Sequence, residues 1–165
     1  MPRNPRSARR IGSDAHAQRE AEKIALVTVA KELGLARVET QKRFSIGPAA
    51  AIVDAFAEST DEVVLLEVNA RVGSAMKTAT KNKVLKDTLK MLLIEQAHAA
   101  EWQGRRVRKM LVFLDPIARA SFGPKAWANQ VWDAFGIETH VCAVPDAHRL
   151  ALIAAQGAQD LRADG

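Results

Sequence analysis

Two carboxylates stand in strand-like stretches that are otherwise apolar. Asp54 is the one charge in Ile52-Val53-Asp54-Ala55-Phe56, and Glu67 is the one charge in Val63-Val64-Leu65-Leu66-Glu67-Val68. An ionised carboxylate is costly to bury unless it is paired or bound to a cation. Thirteen positions separate the two, a spacing that a hairpin of adjacent strands closes side by side. Convergent carboxylates make a hard oxygen site suited to Mg²⁺ or Mn²⁺. Such an ion lowers the pKa of a bound water and neutralises a phosphate during in-line attack. The plainer alternative puts Glu67 at the solvent end of its strand and Asp54 at a sheet edge.

The charges around this pair are segregated. Lysine and arginine total 24 against 19 acids, a net +5, in 165 residues. Residues 1–13 hold Arg3, Arg6, Arg9 and Arg10 and no acid, while residues 71–90 hold Arg71, Lys77, Lys81, Lys83, Lys86 and Lys90 against Asp87 alone. Residues 105–109 add Arg105, Arg106, Arg108 and Lys109. From Asp54 to Glu67 there are five acids and no base. Basic clusters at this density favour a polyanionic partner such as nucleic acid. The alternative is a solvated surface with a flexible arm.

The elements that must position these residues follow from pattern. At 48% hydrophobic and 26% charged the composition is that of a globular protein, of a length that suits one domain. No apolar run approaches the ~20 residues of a membrane helix, and the basic N-terminus lacks the apolar core of a secretory signal. Cys142 is the one cysteine, which excludes an internal disulfide and a thiolate zinc cluster. A cytoplasmic protein without a membrane partner is the expectation.

Residues 1–13 read as a flexible basic arm, 14–156 as one α/β domain and 157–165 as a disordered tail. Within the domain, Asp14 caps a helix to Leu33, and Gly34 ends it. Strands are expected over 36–46, Ala49–Ala57 and Val63–Val68, the last buried on both faces. A long helix runs from about Ala75 to Ala99, followed by a strand over Met110–Leu114 that Asp115-Pro116 closes. Pro124 opens a helix to Phe135, a strand spans Ile137–Val144, and Asp146 caps a last helix to about Ala155. Strands first and then strand–helix alternation predict a mixed central sheet of about five strands with helices on its faces.

Asp54, then Glu67-Val68-Asn69, then a basic amphipathic helix, behind an initial helix bearing Glu20 and Glu22, resembles the PD-(D/E)XK nuclease superfamily (restriction-endonuclease-like). The resemblance spans about residues 15–115 and implies the core order α-β-β-β-α-β. It also implies Mg²⁺- or Mn²⁺-dependent hydrolysis of nucleic acid, DNA being the first expectation. Asp54 and Glu67 would hold the metal, with Glu22 as the carboxylate that this family often draws from the first helix. Asn69 stands where the family places the lysine of Glu-x-Lys. Residues i and i+2 of a strand share a face, so Asn69 points to the same site, but it lacks the charge that stabilises a developing anion.

Lys77 and Lys81 fall inside the apolar arc of the long helix and so point to the sheet. Lys83, in a segment Lys83-Val84-Leu85-Lys86-Asp87 similar to one in members of this group, is the third candidate for a displaced lysine. Lys83, Lys86 and Lys90 lie on the outer face, where Lys83 and Asp87 can pair. Arg71, Lys86, Lys90, Arg105 and Arg106 are the expected nucleic-acid contacts. His16, His98, His140 and His148 lack metal-ligand spacing, and no Gly-rich phosphate loop is present. Core packing is the default for Trp127 and Trp132, of which at most one faces the core squarely; an exposed one would stack a base or join a homodimer. Two other functions remain open: a nuclease-fold module that binds without cleaving, and a small α/β protein whose basic surface recognises acidic partners.

Overall fold

Val63 to Leu66 are apolar at four consecutive positions, a run that is stable in a strand only where both faces are covered. This strand is the middle of the sheet. The computed structural model describes residues 5–163. In order they form α1 (Pro5–Glu32), β1 (Glu39–Ile46), β2 (Ala49–Glu58), β3 (Glu62–Asn69), α2 (Thr78–Ala97) and β4 (Arg106–Phe113). α3 (Pro116–Ala120), α4 (Trp127–Ala134), β5 (Ile137–Val141) and α5 (Asp146–Ala163) follow. The sheet order is β1-β2-β3-β4-β5. β1 and β3 both pair antiparallel with β2, whereas β3, β4 and β5 run parallel. The expected five-stranded mixed sheet with flanking helices is the observed architecture.

Period-two alternation divides β3 between two cores. Val64, Leu66 and Val68 pack with Ala21, Ala25 and Val29 of α1 and Leu152 of α5. Val63 and Leu65 pack with Val84, Met91 and Ile94 of α2 and with Ala128 and Trp132 of α4. Glu67 shares the parity of Val63 and Leu65, and therefore lies on the α2 side. Trp132 is fully enclosed there and donates its indole N–H to Thr88 Oγ1 at 3.1 Å.

Several boundaries differ from those read above, each for a local reason. α1 begins at Pro5 rather than Asp14, so residues 5–13 are helical and not an irregular arm. Pro5 takes the first helical position, which its fixed φ suits. Residues 1–4 and 164–165 of the arm and tail lie outside the described residues, as do the side chains of Arg6, Arg9 and Arg10. α5 continues to Ala163 through most of the expected tail. β4 starts at Arg106 rather than Met110, because the charges that argued against a strand are answered across it. Arg108 makes a two-pronged bond to Glu138 at 2.7 and 2.6 Å, and Lys109 pairs with Glu95 of α2. Asp115-Pro116 does more than close β4. Asp115 caps α3, accepting from the Ile117 N–H at 2.7 Å with Pro116 at the first turn. Pro124 lies in a turn that the Ala126 N–H closes onto Gly123 O at 2.8 Å, so the next helix starts only at Trp127.

Candidate functional site

The site begins with an interruption in β2. Val53 packs in the α2-side core and Ala55, two residues on, in the α1-side core. Residues i and i+2 of a regular strand share a face, so the pleat reverses at Asp54. Across the ladder, Lys42 pairs with Val53 and Thr40 with Ala55. The residue between them, Gln41, has φ +52, the one positive φ of a non-glycine residue among those described. Such a conformation costs on the order of 1–3 kcal/mol and persists only where its surroundings hold it. Here Gln41 Nε2 donates to Asp54 Oδ1 at 3.2 Å.

The β2–β3 ladder pairs Ala55 with Leu66 and goes no further toward the Asp54 end. Beyond that pair, Asp54 Oδ2 accepts the Val68 N–H at 2.8 Å. A side chain thus replaces the main-chain bond where the two strands part. It sets Asp54 beside Glu67, the residue that the same register would place opposite it.

Glu67 is 3% exposed. Lys90 of α2 brings Nζ to 2.6 Å from Glu67 Oε1 and to 3.1 Å from Asp87 Oδ1, while Asp87 Oδ2 holds Lys83 at 2.8 Å. The Lys90 approach lacks hydrogen-bond alignment, so Glu67 Oε1 is a buried acceptor without an aligned donor. Burial first, and then the Asp54 carboxylate, push the Glu67 carboxyl up to about 8 against the opposing Lys90 ammonium. Glu22 of α1 is also raised, by burial and by Asp54, with its bond to Gln18 and the charge of Lys83 opposing. Burial pulls Lys83 and Lys90 down. For Lys83 the bond to Asp87, and for Lys90 the ion-pair contacts with Glu67 and Asp87, outweigh it, so both end above the usual lysine value.

Asn69 ends β3 and turns its Oδ1 to the Arg71 N–H at 3.1 Å. It lines a cleft with Gln18, Arg71, Thr80, Lys83 and Gln156. Lys83 therefore shares a cleft with the residue that stands at the family's lysine position, and its charge is felt at both Asp54 and Glu67.

The other residues singled out from sequence go to different places. Lys77 is the exposed N-cap residue of α2, and Lys81 lies 6.0 Å from the Phe122 ring centroid. The wheel misplaces them because the apolar arc of α2 is wider than its buried face. Leu89 is 64% and Leu93 47% exposed, and the buried line runs through Val84, Thr88, Met91 and Ile94. That rotation brings Lys90 from the expected outer face to Glu67, while Lys83 stays exposed and paired with Asp87 as expected, its charge still felt at Asp54 and Glu67. Lys90 thus serves inside the protein rather than on its surface. Arg105 is likewise engaged, by Glu58 at 2.9 Å and Ser59 O at 2.7 Å. Lys86 is exposed, and Arg106 is 71% exposed with only long approaches to Glu62 and Glu138. Arg71 Nη2 donates to Ser74 Oγ at 2.9 Å. Trp127 is exposed, whereas Trp132 is core.

Among the described residues no three His, Cys, Asp or Glu side chains form a ready metal-ligand group. Glu22 therefore does not complete a carboxylate triad with Asp54 and Glu67. Two carboxylates nevertheless suit an ion of the magnesium class, which keeps several waters and takes one or two protein carboxylates. Asp54 and Glu67 are the residues that would hold such an ion. Gln41 and Asp87 complete the site. Asp87 was visible as a helix-spaced partner of Lys83, but nothing in the order of residues marks Gln41, whose place depends on strand register.

No protein-family model matches the sequence, and no curated protein matches it. Among solved structures the chain is similar to one described as the crystal structure of a protein of unknown function, AF1548. The two share 12% identity and a TM-score of 0.49, over 86% of this chain and 67% of that one. That likeness bears on no activity. Among the described residues no helix is long and apolar enough to cross a membrane.

Proposed function

We propose that this chain is a metal-dependent nuclease domain of the PD-(D/E)XK type, hydrolysing phosphodiester bonds in nucleic acid. The observation that carries this reading is the meeting of Asp54 and Glu67 where β2 and β3 part, with Lys83 in the adjoining cleft beside Asn69. Asp54 and Glu67 would hold Mg²⁺ or Mn²⁺, which supplies a water of lowered pKa and charge neutralisation at the phosphate. Lys83 provides the positive charge that Asn69 lacks. It reaches from a helix rather than from the strand, and faces the anion that develops as the phosphodiester bond breaks. Arg71 and Lys86 present charge to the flanking backbone phosphates, whereas Arg106 pairs with Glu62 at the opposite end of the sheet.

The test is incubation of the chain with supercoiled DNA, linear DNA and single-stranded RNA, with Mg²⁺, with Mn²⁺, and with EDTA. Cleavage of any of these that EDTA stops is the expected result, and Lys83→Ala should lower it by about 10²–10³-fold. Absence of metal-dependent cleavage under every condition overturns the catalytic reading.

One observation favours a second reading, a module that binds nucleic acid without cutting it. The glutamate of Glu67-Val68-Asn69 is already paired with a lysine, and its asparagine is turned into its own loop. Such a protein would bind DNA with log K falling steeply against log salt, by about 0.9 per phosphate contact. It would gain cleavage on Asn69→Lys. Binding without cleavage in the wild type, together with that gain, would select the second reading.

A further inference from the structure

We infer that Lys90 is a resident counter-ion that competes with a divalent cation for Glu67, so that the site takes metal only as the lysine moves aside. This rests on the metal-site reading above and adds a residue that regulates it.

The geometry is that of a counter-ion with two seats. Lys90 Nζ lies 2.6 Å from Glu67 Oε1 and 3.1 Å from Asp87 Oδ1. Both acids are more enclosed than the lysine: side-chain exposure is 3% for Glu67, 13% for Asp87 and 26% for Lys90. A lysine with an open flank can swing its ammonium outward on a flexible stem while its base stays packed. Leaving Glu67, Lys90 retains Asp87, its neighbour one helical turn earlier, so release does not strand its charge. Asp87 also holds Lys83 at 2.8 Å, which fixes the second seat in place. Glu67 Oε1 receives no aligned donor from Lys90 or from any other described group. The contact therefore offsets the carboxylate's charge without a donor aligned on Oε1.

A cation bound by Asp54 and Glu67 would sit a few ångströms from the ammonium. Like charges at that distance in a partly buried site repel strongly, and both draw on the charge of the same carboxylate. An alternative role for Lys90, contact with the scissile phosphate, would leave metal affinity unchanged on its removal.

The experiment measures Mn²⁺ binding directly, by loss of the free-ion EPR signal. The proteins are the wild type, Lys90→Met, Lys90→Gln, Glu67→Gln and the Lys90→Met/Glu67→Gln double variant. Removal of the competing charge should lower the Mn²⁺ Kd at least tenfold in both Lys90 variants. Lys90→Gln keeps a donor toward Glu67 and guards against a packing defect in Lys90→Met. Thermal melts add a second readout, because a ligand bound only by the folded state raises Tm. The Mn²⁺-induced rise should be larger in the Lys90 variants than in the wild type, and absent in the double variant.

Equal Kd in wild type and both Lys90 variants, or tightening that survives in the double variant, overturns the competition while the site itself stands. No Mn²⁺ binding by any protein overturns the metal site and this inference with it.

Discussion

If the proposed nuclease reading holds, Glu67→Gln is expected to abolish metal-dependent cleavage, by about 10²–10³-fold or more, and in any case to raise the melting temperature of the metal-free protein. The first effect follows from loss of a carboxylate ligand and of the charge it brings to the metal. The second follows from the surroundings of Glu67. Its carboxyl is enclosed, with Asp54 beside it on β2, Glu22 near Asp54 on α1, and Lys83, Asp87 and Lys90 facing it from α2. Burial and Asp54 hold it up to about 8, above an ordinary glutamate. The folded state then binds more protons than the unfolded chain between roughly pH 4.5 and 8, and stability falls as pH rises through that window. A neutral glutamine escapes the penalty and leaves Lys90 paired with Asp87.

The gain should be largest near pH 8 and vanish near pH 4, where the glutamate is protonated in both states. The Glu67 value of about 8 already includes the opposing Lys90 ammonium; discounted for the solvent that reaches the partly open Lys90, about 1–2 kcal/mol is expected at pH 8, or roughly 2–4 °C per kcal/mol for a chain of this size. Asp54→Asn is the useful contrast. It should remove cleavage equally, yet its amide oxygen can still accept the Val68 N–H, so its stability should change little. Melts of all three proteins at several pH values check both statements. A Glu67→Gln protein less stable than wild type at pH 8 would show that the Lys90 pair, not desolvation, dominates.

A residue that weakens its own fold is a reason why sequence can reveal a site. Asp54 and Glu67 were legible because each violates the apolar pattern of its strand, and burial makes such violations expensive. The sheet was legible for the complementary reason. β3 is apolar on both faces, and the order of strand and helix patterns restricts the topology to few choices. What failed was direction around α2. Leu89 and Leu93 count as core in a pattern and are 64% and 47% exposed in the protein, so the arc drawn from them turned Lys90 outward, away from Glu67. β4 was misread at its start because Arg106, Arg108 and Lys109 look like surface until Glu138 and Glu95 are placed against them. α3 was missed although Asp115-Pro116 is a helix-start signal, since a helix of one turn leaves no periodicity to detect. The Gln41–Asp54 irregularity has no local signature, because Asp54 stands out only as a charge and nothing marks Gln41 until the strands are aligned.

Asp115→Ala is expected to cost about 3–5 kcal/mol of stability. The Asp115 side chain is completely buried at the end of β4 and holds three separate pieces of chain. Oδ1 accepts the Ile117 N–H of α3 at 2.7 Å, while Oδ2 accepts the Gly73 N–H at 2.8 Å and Arg149 Nη1 of α5 at 2.7 Å. Removing one partner of a buried, hydrogen-bonded charge leaves the others unpaired, which costs this much in comparable sites. Burial by itself would raise the Asp115 pKa, but the Gly73 and Ile117 N–H groups and the Arg149 guanidinium outweigh it and hold the carboxyl below the usual range.

The linkage therefore has the opposite sign to that of Glu67. Stability from Asp115 is present above the ordinary aspartate pKa, near 4, and is lost as pH falls through the lower folded value. Urea titrations at pH 7 and pH 3 should show the variant's deficit shrinking in acid, and equal deficits would refute the assignment. The tether also reaches the candidate site. Gly73 has φ +77, and a Cβ there would lie 3.1 Å from Ile153 Cγ1 of α5, so the loop that leaves Asn69 is pressed between Asp115 and α5. Arg71 sits on that loop, two residues from the bonded N–H. Asp115→Asn keeps the shape but cannot accept from all three donors at once. It should fall between wild type and alanine in stability, and should loosen the loop that carries Arg71 while leaving Asp54 and Glu67, on β2 and β3, in place.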